Sequence, residues 1–412
     1  VSFMKWLKTK RVRNRILFTL FIILLFEIGT FIPLPYVEHT QSQSEFGSLL
    51  NLVSGGALSR FGLFALGCSP FISASIVTQL WTIGFPSWER LAKQGKEGQS
   101  IIYRRTQIIA VFLAVLQSYG IIVSKTIQSQ LGLNITTTNI YQTTYLIMLT
   151  VVGTLIVSYL CSRINEKGIG QGQSIIIAVG ILSNIPSIVI SFINAYKYYS
   201  SINDVVSYWK QFAVVIGVLL LVIILCVIAN KKVFKLPIHS ENNSHYIEAH
   251  YFPIKLLASS VMPVIFASMI MSVLKIISDF KNLNWTWTSY TTKKGFVVYI
   301  LVILLMTFIY NSVEVNGDTL QEDLTKGSMY LIGVRPTQSS KVIKQKLFRI
   351  NLIGAPTLAL IAGLSLAVNV FTPIQLGSSI NGLSVLILVG VLQEVIYQIN
   401  GLTQKTNYKE LF

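Results

Sequence analysis

Charge is what this 412-residue chain has least of. Asp, Glu, Lys and Arg make up 12% of it, about half the roughly 25% of an ordinary soluble domain, while 52% is hydrophobic. Ten membrane spans of about 20 residues would use roughly half the chain, leaving no room for a soluble domain of normal size. Cysteine is scarce too: Cys68, Cys161 and Cys226 stand singly in apolar sequence. Neither a disulfide framework nor paired metal-ligand spacing is present. The signatures HExxH, GxSxG and GxxxxGKS/T are absent, which removes the hydrolase and phosphate-loop chemistries they carry. The run GIGQGQS at 168–174 lacks a Lys and opens an apolar segment. His239, His245 and His250 share a loop with Glu241 and Glu248 at no metal-site spacing. No catalytic residue, cofactor or metal is expected.

Acidic residues are the scarcer charged class, 16 against 33 basic, for a net charge of +17. In a soluble chain that excess would point to nucleic acid; in a membrane protein it must first be tested against the bias of Lys and Arg toward cytoplasmic loops. Uncharged windows mark spans at 106–124, 211–230, 256–274 and 295–313, with further spans within 69–84, 141–162 and 173–193. The uncharged stretch from Ile350 to Gln393 is too long for one helix. Broken at Asn369, Pro373 and Gly377, it gives a ninth span and a tenth starting near Gly382. The basic N-terminus and Ile16–Phe26 resemble a secretory signal without a small-residue cleavage pattern, so they read as a retained first span. With ten spans and both termini cytoplasmic, 25 of the 33 basic residues fall on the cytoplasmic side. Topology thus accounts for most of the charge, with no direct role for nucleic acid.

Ten spans divide into two groups of five, and an odd group size would make the second half inverted, as in many transport proteins. Phe46 to Gly67 is too short to span and is interrupted by Asn51, Ser54, Gly55 and Gly56. It is either an external amphipathic loop or a re-entrant segment, which membrane depth tolerates only inside protein or a water-filled cavity. Glu27 and Glu394 lie in or beside spans, where a carboxylate is a functional candidate by default. Glu394 is near an interface, and a hydrogen-bonded structural role suits Glu27 better than a proton relay. A gradient-driven solute carrier would need a compact polar site at the membrane midplane, and no charged residues are offered there.

Five blocks carry a resemblance: GGALSRFGLFALGCSPFISASIVTQL at 55–80, KGIGQGQSIII at 167–177, VMPVIFAS at 261–268, VEVNGDTLQEDLTKGSMYLIGVRP at 313–336 and LSVLILVGVLQEVIYQI at 383–399. In order and spacing they resemble the SecY family of protein-conducting channels over nearly the whole chain. That resemblance implies an all-α polytopic membrane protein, with ten transmembrane helices in two pseudo-symmetric inverted halves, 1–195 and 211–401, and a re-entrant plug at about 48–60. It assigns Leu49, Leu50, Leu52, Val53, Gly55, Gly56 and Leu58 to the plug. It assigns Cys68, Ile72, Gln173, Ile177, Ile265 and Ile387 to a constricting collar. The lateral gate falls on helices at about 69–83 and 256–274, with Ser73, Ser75, Ile76, Gln79, Phe266 and Ser268. Docking loops fall at 230–255 and 314–346, and Arg335, Lys341 and Lys344 are matched to engagement of a SecA-type motor ATPase.

Cys68 and Gln173 depart from the usual aliphatic collar, and KKVFKLPIH stands where an arginine-rich stretch is usual. With the short tail, these departures resemble the accessory SecY of some Gram-positive bacteria. The expected role is a non-enzymatic plasma-membrane channel exporting unfolded preproteins, here serine-rich glycosylated adhesins. Its expected partners are an accessory SecA, small SecE-like and SecG-like subunits and membrane lipid. The housekeeping SecY is the alternative within the family.

Overall fold

The computed structural model describes residues 10–39, 54, 57–58, 61–123, 128, 133–136, 139–201, 205–240, 250–256, 262–280, 285, 287, 292–314, 317–326, 329–332, 334, 339–371 and 382–409. Helix α1 is Lys10–Phe31, followed by strand β1, Val37–His39; α2 is Ser69–Gly84, α3 Pro86–Lys93 and α4 Lys96–Val123. Strand β2, Leu133–Ile135, precedes α5, Ile140–Lys167, α6, Gly172–Ser183, and α7, Ile185–Ser201. The second part comprises α8, Val205–Lys231, strands β3, Val233–Ser240, and β4, His250–Lys255, then α9, Met262–Phe280, and α10, Lys293–Glu314. It closes with α11, Gly317–Lys326, β5, Met329–Leu331, α12, Ser339–Phe371, and α13, Gly382–Lys409.

Among the described residues, seven helices are long and apolar enough to cross a membrane, namely α1, α4, α5, α8, α10, α12 and α13, and α6 and α9 contain shorter apolar runs. With α2 and the α6–α7 pair each counted as one crossing, the ten expected spans are present. Helix α12 runs through Asn369 to Phe371 and α13 begins at Gly382; Pro373 and Gly377, the other expected break points, lie outside the described residues.

Local chemistry explains several boundaries. Pro70 occupies the first turn of α2, where its missing N–H costs no helical hydrogen bond. Phe85, held extended at φ −119 and ψ 119 before Pro86, ends α2 and starts α3, as a residue preceding proline disfavours helix. The segment read as one span at 173–193 is instead divided at Asn184, whose amide N–H bonds back to the carbonyls of Ile181 and Leu182. The seventh span begins at Met262 rather than Leu256. Leu256 instead donates its N–H to the Lys232 carbonyl at 3.0 Å and is buried with Leu236, Ile254 and Ile350.

Two small sheets tie loops together. Strand β1 pairs antiparallel with β2, and β3 pairs antiparallel with both β4 and β5. The first sheet joins the loops after spans one and three; the second joins those after spans six and eight. In each case an even number of crossings separates the two loops, as alternating spans require. The second sheet packs through Ile238 and Leu331 onto Leu324 of α11 and Ile343 of α12.

The main core lies where the two parts of the bundle meet. Helices α2, α5 and α6 contribute Ile72, Val157 and Ile176, and α8, α9, α12 and α13 contribute Val222, Ile265, Leu358 and Ile387. Helix–helix association in lipid relies on close van der Waals packing rather than on apolar burial from water. Gly172 illustrates this: a side chain there would overlap the Cys161 carbonyl.

Candidate functional site

The collar residues come from four separate helices. Cys68 caps α2 and Ile72 follows one turn later, Gln173 and Ile177 sit one turn apart on α6, and Ile265 and Ile387 lie on α9 and α13. Cys68, Ile72, Ile177, Ile265 and Ile387 belong to a single buried cluster. Gln173 is also buried, at 8% exposure. The six residues that the resemblance assigns to a collar are thus all buried, four of them isoleucines with one thiol and one amide.

Cys68 stands at the end of a chain of turns from Phe61. The Pro33–Gly62 bridge and the Leu63 N–H bond to the Ile32 carbonyl at 2.9 Å tie this segment to the end of α1. Phe64 stacks on Phe26 of α1 with centroids 5.9 Å apart. On the other side it meets Gly153 of α5, where a side chain would overlap the Leu63 carbonyl. Of the residues assigned to the plug, Leu58 is buried at 3% exposure, and the Leu58 N–H donates to the Ser54 hydroxyl at 3.2 Å. Ser54 and Ala57 are buried beside it. Leu49, Leu50, Leu52, Val53, Gly55 and Gly56 lie outside the described residues.

Helix α2 presents different chemistry on successive faces. Cys68, Ile72, Ser75 and Gln79 recur at i, i+4, i+7 and i+11, one stripe of a helix, so Ser75 and Gln79 extend the collar stripe toward the α2 C-terminus. Thr82 continues that stripe, and its hydroxyl donates to the Gln79 carbonyl at 2.6 Å. The face toward α4 is fastened by polar contacts: the Thr106 hydroxyl donates to Thr78 at 3.2 Å and the Ser69 hydroxyl to Gln117 at 3.4 Å. Toward α9 the contact is softer, the Ser73 hydroxyl lying 3.6 Å from the Met269 sulfur, a weak acceptor. Ile76 packs against the main core. Phe266 turns to Tyr310 of α10 with centroids 5.3 Å apart, and the Ser268 hydroxyl bonds within its own helix to Ile265 at 2.7 Å. Met269, next to Ser268, adds a side-chain contact with α2 at a position the resemblance does not assign.

On the face bearing the larger sheet, Lys341 and Lys344 are exposed on the first turns of α12. Arg335 lies outside the described residues. The rejected phosphate-loop run has a structural use. The Ile169 N–H donates to the Thr19 hydroxyl at 3.0 Å, the Gly170 N–H to Gln398 at 2.7 Å and the Gly172 N–H to Asn165 at 2.7 Å. Glycines admit the close approach, and the amides meet α1, α13 and α5 rather than an anion.

The SecY family model matches residues 62–396. The chain is 32% identical to the protein translocase subunit SecY of Staphylococcus carnosus over 99% of its own length and 98% of that protein. It is 33% identical to the Lactococcus lactis subsp. cremoris subunit, over 97% and 95%. Among solved structures, a protein-conducting channel superposes with a TM-score of 0.65 at 15% identity, covering 94% of this chain and 91% of that one. Sec61 in the canine ribosome–channel complex gives 0.60 at 13% identity, with the same coverage. The relatives match from end to end, the family model spans both parts of the bundle, and the fold is shared: this chain belongs to the SecY family.

Proposed function

We propose that the chain is the pore-forming subunit of a Sec-type preprotein translocase in the plasma membrane, a channel and not an enzyme. One observation carries this reading: side chains from α2, α6, α9 and α13 converge on one buried cluster beside the buried, hydrogen-bonded pair Ser54 and Leu58. A narrow apolar collar excludes ions by dewetting yet yields to a passing chain. On this reading 1–195 and 211–401 are the two halves, the α2–α9 seam is the lateral gate, and Ser75, Gln79 and Thr82 line the funnel on one side of the collar. The basic loops and both termini face the cytoplasm. There the 230–255 and 314–346 segments, joined through β3 and β5, form one docking platform for a SecA-type motor. Small SecE-like and SecG-like subunits complete the complex.

Within the family we assign the accessory type, dedicated to serine-rich glycosylated adhesins and driven by its own SecA. Cys68 and Gln173 in the collar and KKVFKLPIH at 231–239, most of it in strand β3, support that assignment. Deleting the gene and measuring secretion tests it. The accessory type predicts loss of surface adhesin with bulk secretion and growth intact; collapse of bulk secretion would make this the housekeeping channel. Co-purification with mass spectrometry should recover a motor ATPase and small membrane subunits.

A further inference from the structure

Gln398 of α13 and the turn before α6 are 228 residues apart in sequence, yet the Gly170 N–H reaches the Gln398 side-chain oxygen at 2.7 Å. The turn holding that N–H is otherwise fastened to elements of the first half. Ile169 is bound by Thr19, Gly172 by Asn165, and the Gly168 carbonyl accepts from Arg15 at 3.4 Å. Apolar contacts run in parallel, because Ile169, Val12 and Ile399 are buried together with Val395 against them. Gly170 adopts φ +81, the left-handed region that glycine enters without steric cost.

One end of this bond lies on α13 and the other in the turn two residues before α6, and each of these helices carries a residue assigned to the collar. Gly172 begins α6, which bears Ile177 five residues on; Ile387 precedes Gln398 on α13 by eleven residues, about three helical turns. Both helices are stiff over such distances. A bond at the turn therefore fixes how far Ile387 stands along the pore relative to Ile177. We infer that Gln398 is a positioning residue: by accepting the Gly170 N–H it sets the axial register of the two halves and holds the collar closed in the resting channel. This rests on the collar reading above.

The test is ion conductance of the reconstituted complex without client, for Gln398→Leu and Gln398→Glu, at matched membrane abundance. Leu removes the acceptor and should raise the open probability about three- to tenfold, the shift that losing one hydrogen bond produces. Glu keeps an acceptor oxygen at the same reach and should return conductance to the wild-type level, a rescue that a general packing defect would not give. Ile177→Ser and Ile387→Ser report on the collar itself. If they leak and Gln398→Leu does not, the positioning role is wrong and the collar stands. Equal leakage by the Leu and Glu variants also overturns the role. If the two Ser variants do not leak, the collar assignment falls and the role of Gln398 falls with it.

Discussion

The carbonyl of Ser54 occupies the place where a side chain on Gly67 would stand. Gly67 also has φ +53, so any other residue meets both a backbone clash and a conformation that costs an L-residue about 1–2 kcal/mol. Gly67 immediately precedes Cys68, so the segment assigned to the plug rests directly on the start of the collar. Gly67→Ala should displace the Ser54 turn while leaving the spans inserted, because their hydrophobicity is untouched. Planar-bilayer recordings should then show a raised basal ion leak, as should deletion of 48–60. Wild-type conductance from a normally inserted Gly67→Ala channel would disconnect this turn from the seal.

The soft contact between Ser73 and Met269 makes the α2–α9 seam the one expected to part. With Cys68, Cys161 and Cys226 replaced by Ala, Ser73→Cys and Met269→Cys should be bridged by a short bis-methanethiosulfonate reagent, since the two native side chains touch across the seam. The bridged channel should lose export and recover it on reduction. Undiminished export by the crosslinked protein would show that passage does not require this seam to move.

Docking is tested by charge. Arg335→Glu should abolish ATP-driven export without lowering membrane abundance, because reversing a loop charge repels an acidic partner patch but contributes little to insertion. Charge reversal at Lys341 and Lys344, exposed on the first turns of α12, should weaken motor binding in a salt-dependent way. Full export by the Arg335 variant would remove that residue from the docking surface.

Sidedness follows from the Lys and Arg distribution. Cysteine reporters at positions 8, 240, 338 and 408 should be labelled only from the cytoplasmic side of the membrane. Labelling of any of them from outside intact cells would contradict the ten-span arrangement.

The legible parts of this molecule were those written in local composition. The division of the last uncharged run into α12 and α13 was visible because Asn369, Pro373 and Gly377 interrupt it, and α2 was visible as an apolar window free of charge within 69–84. The larger sheet was harder. Leu236 and Ile238 are buried while Val233, Phe234 and Lys235 are all exposed, so burial alternates only over the second half of β3, and from sequence the segment reads as a basic docking loop. Its third strand is three residues long and pairs across about ninety positions, beyond any local pattern. The use of GIGQGQS was hidden for a related reason: its partners Thr19 and Gln398 lie far away along the chain, so the glycines read only as absent phosphate chemistry. The Ser73–Met269 contact depends on how α2 and α9 are rotated, which hydrophobicity does not encode when α9 is buried continuously from Met262 to Met269.

On the channel reading, a polypeptide in transit passes through the collar within reach of Cys68. With Cys161 and Cys226 replaced by Ala, a client stalled midway and carrying one cysteine should form an oxidation-induced disulfide with Cys68 where both sulfurs reach bonding geometry. The yield should peak at one register and fade as the client cysteine is moved several residues either way. A solute carrier offers no route for an extended chain. No crosslink across a full scan of client positions, with export intact, would contradict the collar position of Cys68 and the channel mechanism built on it.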